Sequence, residues 1–451
     1  MNTQDTICAI ATAQGGAIGV IRISGKDAIA ITDRIFTPVG KHPLPLSERK
    51  AYTMAFGHIR QDDGEIIDEV LIGLFKSPHS YTGEDCVEIS CHGSSFILQQ
   101  VMQLLIRKGC RAAGPGEFTQ RAFLNGKMDL SQAEAVADLI ASSSAATHRM
   151  AMNQMRGGFS RELSALRERL LHLTSLMELE LDFSDHEELE FADRSELETI
   201  AGDIEKVISG LVHSFSVGNV LKNGIPVAIV GETNAGKSTL LNTLLNEEKA
   251  IVSDIHGTTR DVIEDTVNLS GITFRFIDTA GIRDTHDTIE NMGIARSFHK
   301  MEQAEIVLWV VDNTCAEAQI RQLSPRILPL CSNKQLIILL NKSDQVSAVP
   351  TKLSGLPENT VTLSISAKEK TGIQELQNLL VKTASVPELT SSDLIVTNVR
   401  HYEALSLALE DIHRVQNGLQ THLSGDFISQ DLRECLFHLA EIVGGEITTD
   451  E

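Results

Sequence analysis

The sequence predicts a multidomain protein that combines α/β domains with an all-α domain. Residues 218–385 alternate continuous apolar runs with helical segments, which is typical of the buried parallel sheet of a doubly wound α/β domain. Residues 119–217 carry apolar side chains at three- and four-residue spacing, which indicates long amphipathic helices. Residues 1–118 mix short β-type runs with turn signals, which indicates a smaller α/β domain.

Length and composition are those of an ordinary globular protein. The 451 residues leave room for about two to four domains, and 42% of them are hydrophobic and 22% charged. No apolar run approaches the roughly 18 residues that span a bilayer. The start, MNTQDTICAIAT, lacks the basic region of a signal peptide. We therefore expect a cytoplasmic protein without a membrane segment.

Charge and cysteine content argue against two kinds of site, a strong nucleic-acid site and a zinc site. The formal net charge is −22, and because nucleic-acid affinity depends on cationic side chains, this chain should bind RNA or DNA weakly without a partner or a local basic patch. The seven cysteines are scattered without a CxxC pair. This predicts buried free thiols rather than a zinc site.

The three regions are justified in turn by their local patterns. In residues 1–118, the runs AIGVIRIS (17–24) and EVLIGLF (69–75) lie among glycine-rich turns. In residues 119–217, LSQAEAVADLIASSSAATHRMAMNQM and RELSALRERLLHLTSLMELELDF are predicted helices. Helical patterns return at 402–415 and 432–442. We therefore predict one helical domain, 119–217 plus 386–451, with the α/β domain 218–385 inserted in it.

A phosphate-binding loop follows the first predicted strand of the inserted domain. Residues 231–238, GETNAGKS, fit GxxxxGK[ST] between the strand PVAIV and the helix STLLNTLL. Glycines let backbone amides surround the phosphates, Lys237 neutralises β- and γ-phosphate oxygens, and Ser238 should ligate Mg²⁺. Asp278, in DTAG after the strand ITFRFI, reaches the Mg²⁺ site, and Gly281 donates to the γ-phosphate. Between these motifs, Thr259 of GTTRD is the predicted second Mg²⁺ ligand.

Two further motifs select the base. Asp344 of NKSD offers an acceptor-only carboxylate to both donors of the guanine edge, and adenine has no such pair of donors. Ser366, Ala367 and Lys368 follow the strand VTLSIS and complete the pocket. Each motif ends a strand, where ligands of open α/β sheets bind. The sequence therefore predicts a GTP hydrolase.

The residue that orients the attacking water is not where signalling GTPases have it. They carry a glutamine directly after DTAG, and this chain has Ile282, which cannot hydrogen-bond. The local polar candidates for this role are Arg283, Asp284, Asp287 and Glu290.

Motifs across the whole chain resemble the MnmE (TrmE) family of tRNA modification GTPases. They are GETNAGKS, IVSDIHGTTRD, DTAGIRDT, IENMG and NKSD, and outside the GTPase region SYTGEDCVEISCHG, PGEFTQRAFLNGKMDLSQAEAV and GGEITTDE. The resemblance implies an N-terminal folate-binding and dimerisation domain, a helical domain and an inserted P-loop GTPase (G) domain. It implies a homodimer that works with the flavoprotein MnmG (GidA) on tRNA. The modification is a (carboxymethyl)aminomethyl group on carbon 5 of the wobble uridine, with a 5-formyltetrahydrofolate-type donor.

The resemblance also assigns residues. It implies that Glu290 orients the catalytic water and that K⁺ replaces an arginine finger when two G domains pair. The implied K⁺ ligands are Asn234, Ser253, Ile255 and Thr258, and the implied folate residues are Arg22, Glu88 and Lys127. Together with the motifs, the predicted GTP residues are Asn234, Ala235, Gly236, Lys237, Ser238, Thr239, Ser253, Thr258, Thr259, Asp278, Thr279, Ala280, Gly281, Asn341, Lys342, Asp344, Ser366, Ala367 and Lys368.

Three features depart from the family pattern. Thr233 stands where the family has proline, and His256 where it has a small residue. The family ends in a Cys-(Ile/Leu/Val)-Gly-Lys tail that serves tRNA modification, whereas this sequence stops at Glu451, and Cys435 lies in another context. GTP hydrolysis is expected without that tail. The alternative function is a ribosome or complex assembly-factor GTPase without modification activity, for which a basic KH-type RNA-binding appendage would be the signal.

Overall fold

The computed structural model describes most of the chain and divides it into two compact units. Unit 1 comprises Met1–Ala137, Gln154–Glu162 and Ala440–Glu451, and unit 2 comprises Asp138–Asn153 and Leu163–Leu439. The predicted limits of the three domains stay a prediction. The described residues are 5–13, 15–40, 43–182, 194–248, 265–277, 301–346, 356–357, 360–384 and 394–445.

Unit 1 contains a seven-stranded sheet in the order β3-β4-β5-β6-β2-β1-β7. Neighbouring strands are antiparallel except β1 and β7, which are parallel. The predicted runs AIGVIRIS and EVLIGLF form β2 and β5. The strands are β1 Ile7–Ile10, β2 Ile18–Ser24, β3 Phe36–Pro38, β4 Thr53–Arg60, β5 Ile66–Phe75, β6 Cys86–His92 and β7 Arg111–Ala112.

One face of this sheet is buried. Alternate strand residues such as Ile21, Ile72 and Ile89 are completely buried, as the two-residue period of a strand requires. They belong to one apolar cluster with Leu98 and Leu105 of α2. The helices of this part are α1 Ala28–Asp33, α2 Ser95–Arg107 and α3 Glu117–Leu124.

Unit 2 contains a six-stranded sheet in the order β13-β12-β11-β8-β10-β9. The strands are parallel except for the β9–β10 pair, so the predicted parallel sheet has an antiparallel edge. Strand β9 was not predicted, because its run DTVNL lacks a continuous apolar stretch. The strands are β8 Ile225–Val230, β9 Asp265–Leu269, β10 Ile272–Phe276, β11 Ile306–Asp312, β12 Gln335–Asn341 and β13 Val361–Ser364.

Both faces of the second sheet are buried. Val227 and Leu308 belong to one apolar cluster, and Ala228 and Trp309 to another, because successive strand residues point to opposite faces. This explains why the strands read as continuous apolar runs. It confirms the predicted doubly wound α/β class. The flanking helices are α8 Lys237–Glu248, α9 Ala316–Ile327 and α10 Ile373–Thr383. The labels α4 to α7 belong to the helices between residues 130 and 223, which are described below.

The helical region contains long helices with one break that the periodicity did not predict. Residues 130–155 form two helices because Ser144 and Thr147 cap each other: Ser144 N donates to Thr147 Oγ1 and Thr147 N to Ser144 Oγ, both at 3.1 Å. This reciprocal capping favours a new helix start over continuation. The helices are α4 Leu130–Ala141, α5 Ala145–Met155, α6 Gly158–Asp182, α7 Arg194–Asn223, α11 Val399–Gln420 and α12 Gly425–Val443.

Helices α7 and α11, which flank the inserted α/β region in sequence, pack against each other. The rings of Phe215 and Tyr402 stack with centroids 4.4 Å apart. Ser214 Oγ accepts a hydrogen bond from Val396 N at 3.0 Å. A Cβ on Gly218 would lie 2.1 Å from Val396 O, so this close approach requires glycine. The predicted insertion requires such a contact between the two helical segments.

Two expectations from composition can be compared with the described residues. None of the helices described is both long and apolar enough to cross a membrane. All seven cysteines are free, and six are buried, which confirms the predicted free thiols, while Cys315 is exposed. Burial raises the pKa of the Cys86 thiol to about 12, which suits an inert packing residue.

Candidate nucleotide-binding site

The phosphate loop joins the end of β8 to the start of α8. Gly231 has a φ of 147° and Gly236 a φ of 98°, a region that side chains disfavour. A Cβ on Gly231 would lie 2.2 Å from Val310 O, and one on Gly236 would lie 2.1 Å from Asn341 Nδ2. Both glycines are therefore required by conformation and by space. Asn234, between them, is exposed and adopts a φ of 65°.

Lys237 folds back over the loop that it follows. Its Nζ donates hydrogen bonds to Gly231 O at 2.9 Å and to Glu232 O at 2.7 Å. Ser238 and Thr239 lie in the first turn of α8, where backbone amides and the helix dipole favour an anion. The loop thus presents an ammonium group, helix amides and a serine hydroxyl together. These are the groups that a Mg²⁺-bound triphosphate needs.

Asn341 connects the phosphate loop to the base-binding loops. It ends β12, is buried, and donates from Nδ2 to Ala235 O at 2.8 Å. Its Oδ1 accepts from Ala367 N at 3.0 Å. Ala367 O in turn accepts from Thr243 Oγ1 of α8 at 3.0 Å. The predicted residues of three separate motifs are therefore brought together by one buried side chain.

The carboxylate of Asp344, the predicted guanine-selecting group, is oriented by hydrogen bonds within the protein. Ser366 Oγ donates to Asp344 Oδ1 at 2.6 Å, and Glu369 N donates to Ser366 Oγ at 3.2 Å. This leaves the other carboxylate oxygen of Asp344 for a ligand. Lys368 is exposed, with its Nζ 3.9 Å from Glu369 Oε1.

Asp312, which was not predicted as a site residue, forms an ion pair with Lys342 of the predicted base-binding loop. Asp312 ends β11, and its Oδ2 pairs with Lys342 Nζ at 2.5 Å. Burial acts to raise the pKa of the Asp312 carboxyl, but hydrogen bonds from Lys342 and Thr314 outweigh it and hold that pKa below its usual value. The sequence does contain a signal for this residue, because Asp312 ends a buried strand that lies beside two strands followed by motifs.

Several predicted residues lie outside the described residues. They are those of the loop between the first two motifs, those of DTAG and those that follow it. Among the described residues, no group of three or more His, Cys, Asp or Glu side chains is arranged to hold a metal ion. The predicted residues that lie outside the described residues are the following, and their roles stay predictions: Ser253, Ile255, Thr258, Thr259, Asp278, Thr279, Ala280, Gly281, Ile282, Arg283, Asp284, Asp287 and Glu290.

In unit 1, the predicted residues Arg22 and Glu88 lie directly opposite each other on β2 and β6. Arg22 Nε donates to Glu88 Oε1 at 2.9 Å. The Arg22 guanidinium carbon lies 5.1 Å from the ring centre of Tyr81 and 5.7 Å from that of Phe118, within cation–π range. The aromatic neighbours were not predicted. The result is a partly exposed ion pair whose guanidinium lies near two aromatic rings, a combination suited to a flat polar ligand.

Lys127 contacts the turn that carries Tyr81. Its Nζ donates to Pro78 O at 3.0 Å, and its stem would lie 3.3 Å from a Cβ on Gly83. Tyr81 is held from the other side by a 2.8 Å hydrogen bond between its hydroxyl and Thr119 Oγ1 of α3. The three predicted folate residues therefore share one neighbourhood around the 78–83 turn.

A buried ionic cluster anchors α3 beside this turn. Arg121 is 3% exposed and pairs with Asp5, Glu84 and Glu117. Hydrogen bonding from Arg111 is the main effect that lowers the pKa of Glu117 to about 2, against the opposing effect of burial. These residues were not predicted, because Asp5 and Glu84 are far from Arg121 in the chain. They fix the position of Phe118 and Thr119 within the helix.

Comparison with known proteins identifies the family. The family model "MnmE helical domain" matches residues 130–451, and "GTP-binding protein TrmE N-terminus" matches 6–127. The tRNA modification GTPase MnmE of Bacteroides thetaiotaomicron is 66% identical over 453 residues, which cover 99% of this chain and 97% of that protein. The MnmE of Phocaeicola vulgatus is 63% identical, with 100% and 97% covered. Among solved structures, a single-residue variant of Aquifex aeolicus Era, bound to GDP and AlF4⁻, is 28% identical over 41% of this chain and 66% of that chain, with a TM-score of 0.27.

Proposed function

The chain belongs to the tRNA modification GTPase MnmE family and is a GTP hydrolase of tRNA modification, and we propose that it helps to add a (carboxymethyl)aminomethyl group to carbon 5 of the wobble uridine. The proposal includes a folate one-carbon donor, the flavoprotein MnmG as partner, a homodimer, and hydrolysis stimulated by K⁺ when two G domains pair. It places the protein in the cytoplasm.

The observation that carries the folate part is the Arg22–Glu88 pair, with the Arg22 guanidinium near the rings of Tyr81 and Phe118. A pterin ring is flat and carries amino and N–H donors, so it can stack on an aromatic ring and donate to a carboxylate. The glutamate tail of a folate is anionic and suits a guanidinium or an ammonium group. Arg22, Glu88 and Lys127 supply these groups around one turn. In this proposal they bind and orient the one-carbon donor.

In the G domain, the described residues support a Mg²⁺-dependent hydrolysis. Mg²⁺, when bound, offsets the charge that develops on the β- and γ-phosphates. Ser238 fits a ligand role because it opens α8 next to Lys237, and Thr259 is the proposed second ligand. Lys237 binds the phosphates by exchanging its contacts with Gly231 O and Glu232 O for phosphate oxygens. Glu290 is the proposed residue that orients the attacking water.

The potassium part of the proposal depends on Asn234. A second cation at the β- and γ-phosphates supplies the charge stabilisation that an arginine finger gives elsewhere. Asn234 fits a ligand role because its exposed side chain carries an amide oxygen in the phosphate loop. Ser253, Ile255 and Thr258 are the other proposed ligands. The homodimer and the MnmG partner are proposed from family membership.

The test is nucleoside mass spectrometry of bulk tRNA from cells that lack this gene, beside wild-type cells and complemented strains. We expect the aminomethyl-type wobble uridines to disappear and to return with the wild-type gene. The Arg22→Leu variant should hydrolyse GTP normally and fail to restore them. Unchanged nucleosides in the deletion strain, without a redundant enzyme, would contradict the proposal and favour the assembly-factor alternative.

A further inference from the structure

The side chain of Gln319 lies between the phosphate loop and the end of β11. It belongs to α9 and is only 8% exposed. Its Nε2 donates to Glu232 Oε2, in the phosphate loop, at 2.9 Å. Its Oε1 accepts from Asp312 N, at the end of β11, at 2.9 Å. Both polar atoms of one buried amide are thus satisfied by residues that border the nucleotide site.

Asp312 extends this connection to the base-binding loop. Its Oδ2 pairs with Lys342 Nζ at 2.5 Å, and its Oδ1 accepts from Thr314 N at 3.0 Å and Thr314 Oγ1 at 2.7 Å. Both carboxylate oxygens of Asp312 therefore accept hydrogen bonds, and the bond from Lys342 orients that side chain. The polar contacts run without interruption from Glu232 through Gln319 and Asp312 to Lys342.

Glu232 is an unfavourable residue in a loop that binds a triphosphate. Like charges repel over several ångströms, and more strongly where water is excluded. The amide of Gln319 holds this carboxylate toward α9. The main-chain carbonyl oxygen of Glu232 accepts a hydrogen bond from Lys237 Nζ at 2.7 Å. Glu232 therefore carries both a negative charge in the predicted phosphate loop and a main-chain acceptor for the lysine of that loop.

We propose that Gln319 is a positioning residue for GTP binding, which keeps the Glu232 carboxylate turned toward α9 and couples the phosphate loop to Lys342 through Asp312. Gln319 does not contact the reacting atoms in this role. It sets the relative position of two loops that must contact opposite ends of one nucleotide. The inference concerns nucleotide binding and is independent of folate, potassium, tRNA and the partner protein.

The test exchanges the side chains of Gln319 and Glu232 in the full chain. Gln319→Glu replaces the donor with a carboxylate facing Glu232, and we expect the Kd for GDP and for GTP to rise about tenfold or more. Combining it with Glu232→Gln restores a donor and an acceptor with their positions reversed. The double variant should recover affinity to within about threefold of wild type, as coupled residues do. The measurement is nucleotide titration, followed by fluorescence, with the thermal unfolding midpoint recorded for each variant.

Gln322→Glu is the matched control, because Gln322 is exposed on the same helix and receives the same charge. We expect it to bind nucleotide as wild type does. A wild-type Kd for Gln319→Glu, or a double variant no better than Gln319→Glu, would overturn the proposal. If Gln319→Glu does not fold, folding of the double variant supports the contact, and failure of both variants to fold counts against it.

A second variant separates positioning from catalysis. Gln319→Met keeps the size of the side chain and removes both hydrogen bonds. We expect KM for GTP to rise while kcat stays near wild type, because only the loops are displaced. An unchanged KM would show that the two loops do not need Gln319.

Discussion

The amide nitrogen of Asn341 occupies the space that a side chain on Gly236 would need. An ideal Cβ on Gly236 would lie 2.1 Å from Asn341 Nδ2, and that nitrogen already donates to Ala235 O at 2.8 Å. The base-binding loop and the phosphate loop are therefore packed directly against each other. A change in either residue moves both halves of the nucleotide site.

The Gly236→Ala variant should lose nucleotide binding while its overall fold persists. The added methyl group meets Asn341 Nδ2, and the φ of 98° disfavours any side chain. We expect the Kd for GDP to rise at least about 100-fold, which corresponds to about 2.7 kcal/mol. Isothermal titration calorimetry with circular dichroism tests this. Gly210→Ala, on an exposed face of α7 with open space around it, should bind normally. Normal binding by Gly236→Ala would contradict the described packing.

The Asp344→Asn variant should change its base preference from GTP to xanthosine triphosphate. Ser366 Oγ holds one carboxylate oxygen of Asp344, so we expect the other to accept from the base. An amide there becomes partly a donor and suits the carbonyl that xanthine has in place of the guanine amino group. Hydrolysis rates with the two nucleotides measure the preference. Asp344→Ala is the control, which should favour neither base. Retained GTP selectivity in Asp344→Asn would mean that the base pocket is elsewhere.

Replacing K⁺ by Na⁺ should slow GTP hydrolysis and weaken the pairing of G domains. The expectation follows from the proposed ligand role of Asn234 in the phosphate loop. Turnover and light scattering in the two salts, at one ionic strength, provide the measurement. Asn234→Ala should reduce the difference between the salts, because an amide oxygen is removed from the ion. Equal rates in K⁺ and Na⁺ with the wild-type chain would refute the potassium part.

The Glu290→Ala variant should bind GTP with near-normal affinity and hydrolyse it roughly 10²-fold more slowly, as the loss of a positioned catalytic group does. Single-turnover hydrolysis together with a nucleotide titration separates the two effects. Asp287→Ala tests the choice of residue, since Asp287 is another polar candidate from the sequence. Loss of turnover in Asp287→Ala but not in Glu290→Ala would move the role to Asp287.

The ion pairs of Glu117 should make part of the stability of the chain depend on pH. Arg111 is the main cause that lowers the pKa of Glu117 from 4.5 to about 2. The carboxylate therefore contributes stability that is present above about 4.5 and is lost as the pH falls through about 2. After allowance for solvent screening, we expect about 1–2 kcal/mol at neutral pH.

Thermal unfolding of Glu117→Gln beside wild type measures this contribution. The difference in unfolding midpoint should be largest at neutral pH and should narrow toward the onset of acid unfolding. Glu65→Gln, at an exposed turn, makes the same charge change away from the cluster and should show little difference at any pH. A pH-independent difference for Glu117→Gln would show that its effect does not come from ionisation.

The sequence determined the strands and motifs of the G domain. The apolar runs that became β8, β11 and β12 are encoded by consecutive residues, and each motif directly follows its strand. The structure places the predicted phosphate loop between β8 and α8 and Asn341 at the end of β12, while the nucleotide-binding roles of these residues and of Asp344 stay predictions. The break between α4 and α5 and the strand β9 were missed. Each depends on a local competition, a capping pair in one case and pairing with β10 in the other, that periodicity does not reveal.

Only the tertiary structure decided which distant side chains meet. Gln319 and Glu232 are separated by 87 residues, Asp312 and Lys342 by 30, and Arg121 and Asp5 by 116. No periodicity or spacing relates such pairs, because their contact arises when strand ends converge at one edge of a sheet or when α3 packs beside the N-terminus. The sequence by itself therefore determined which nucleotide-binding motifs are present and the order of those motifs along the chain. The folded chain decided that Gln319 contacts Glu232 and that Asn341 contacts the phosphate loop, since hydrogen bonds act only between groups that the fold brings together.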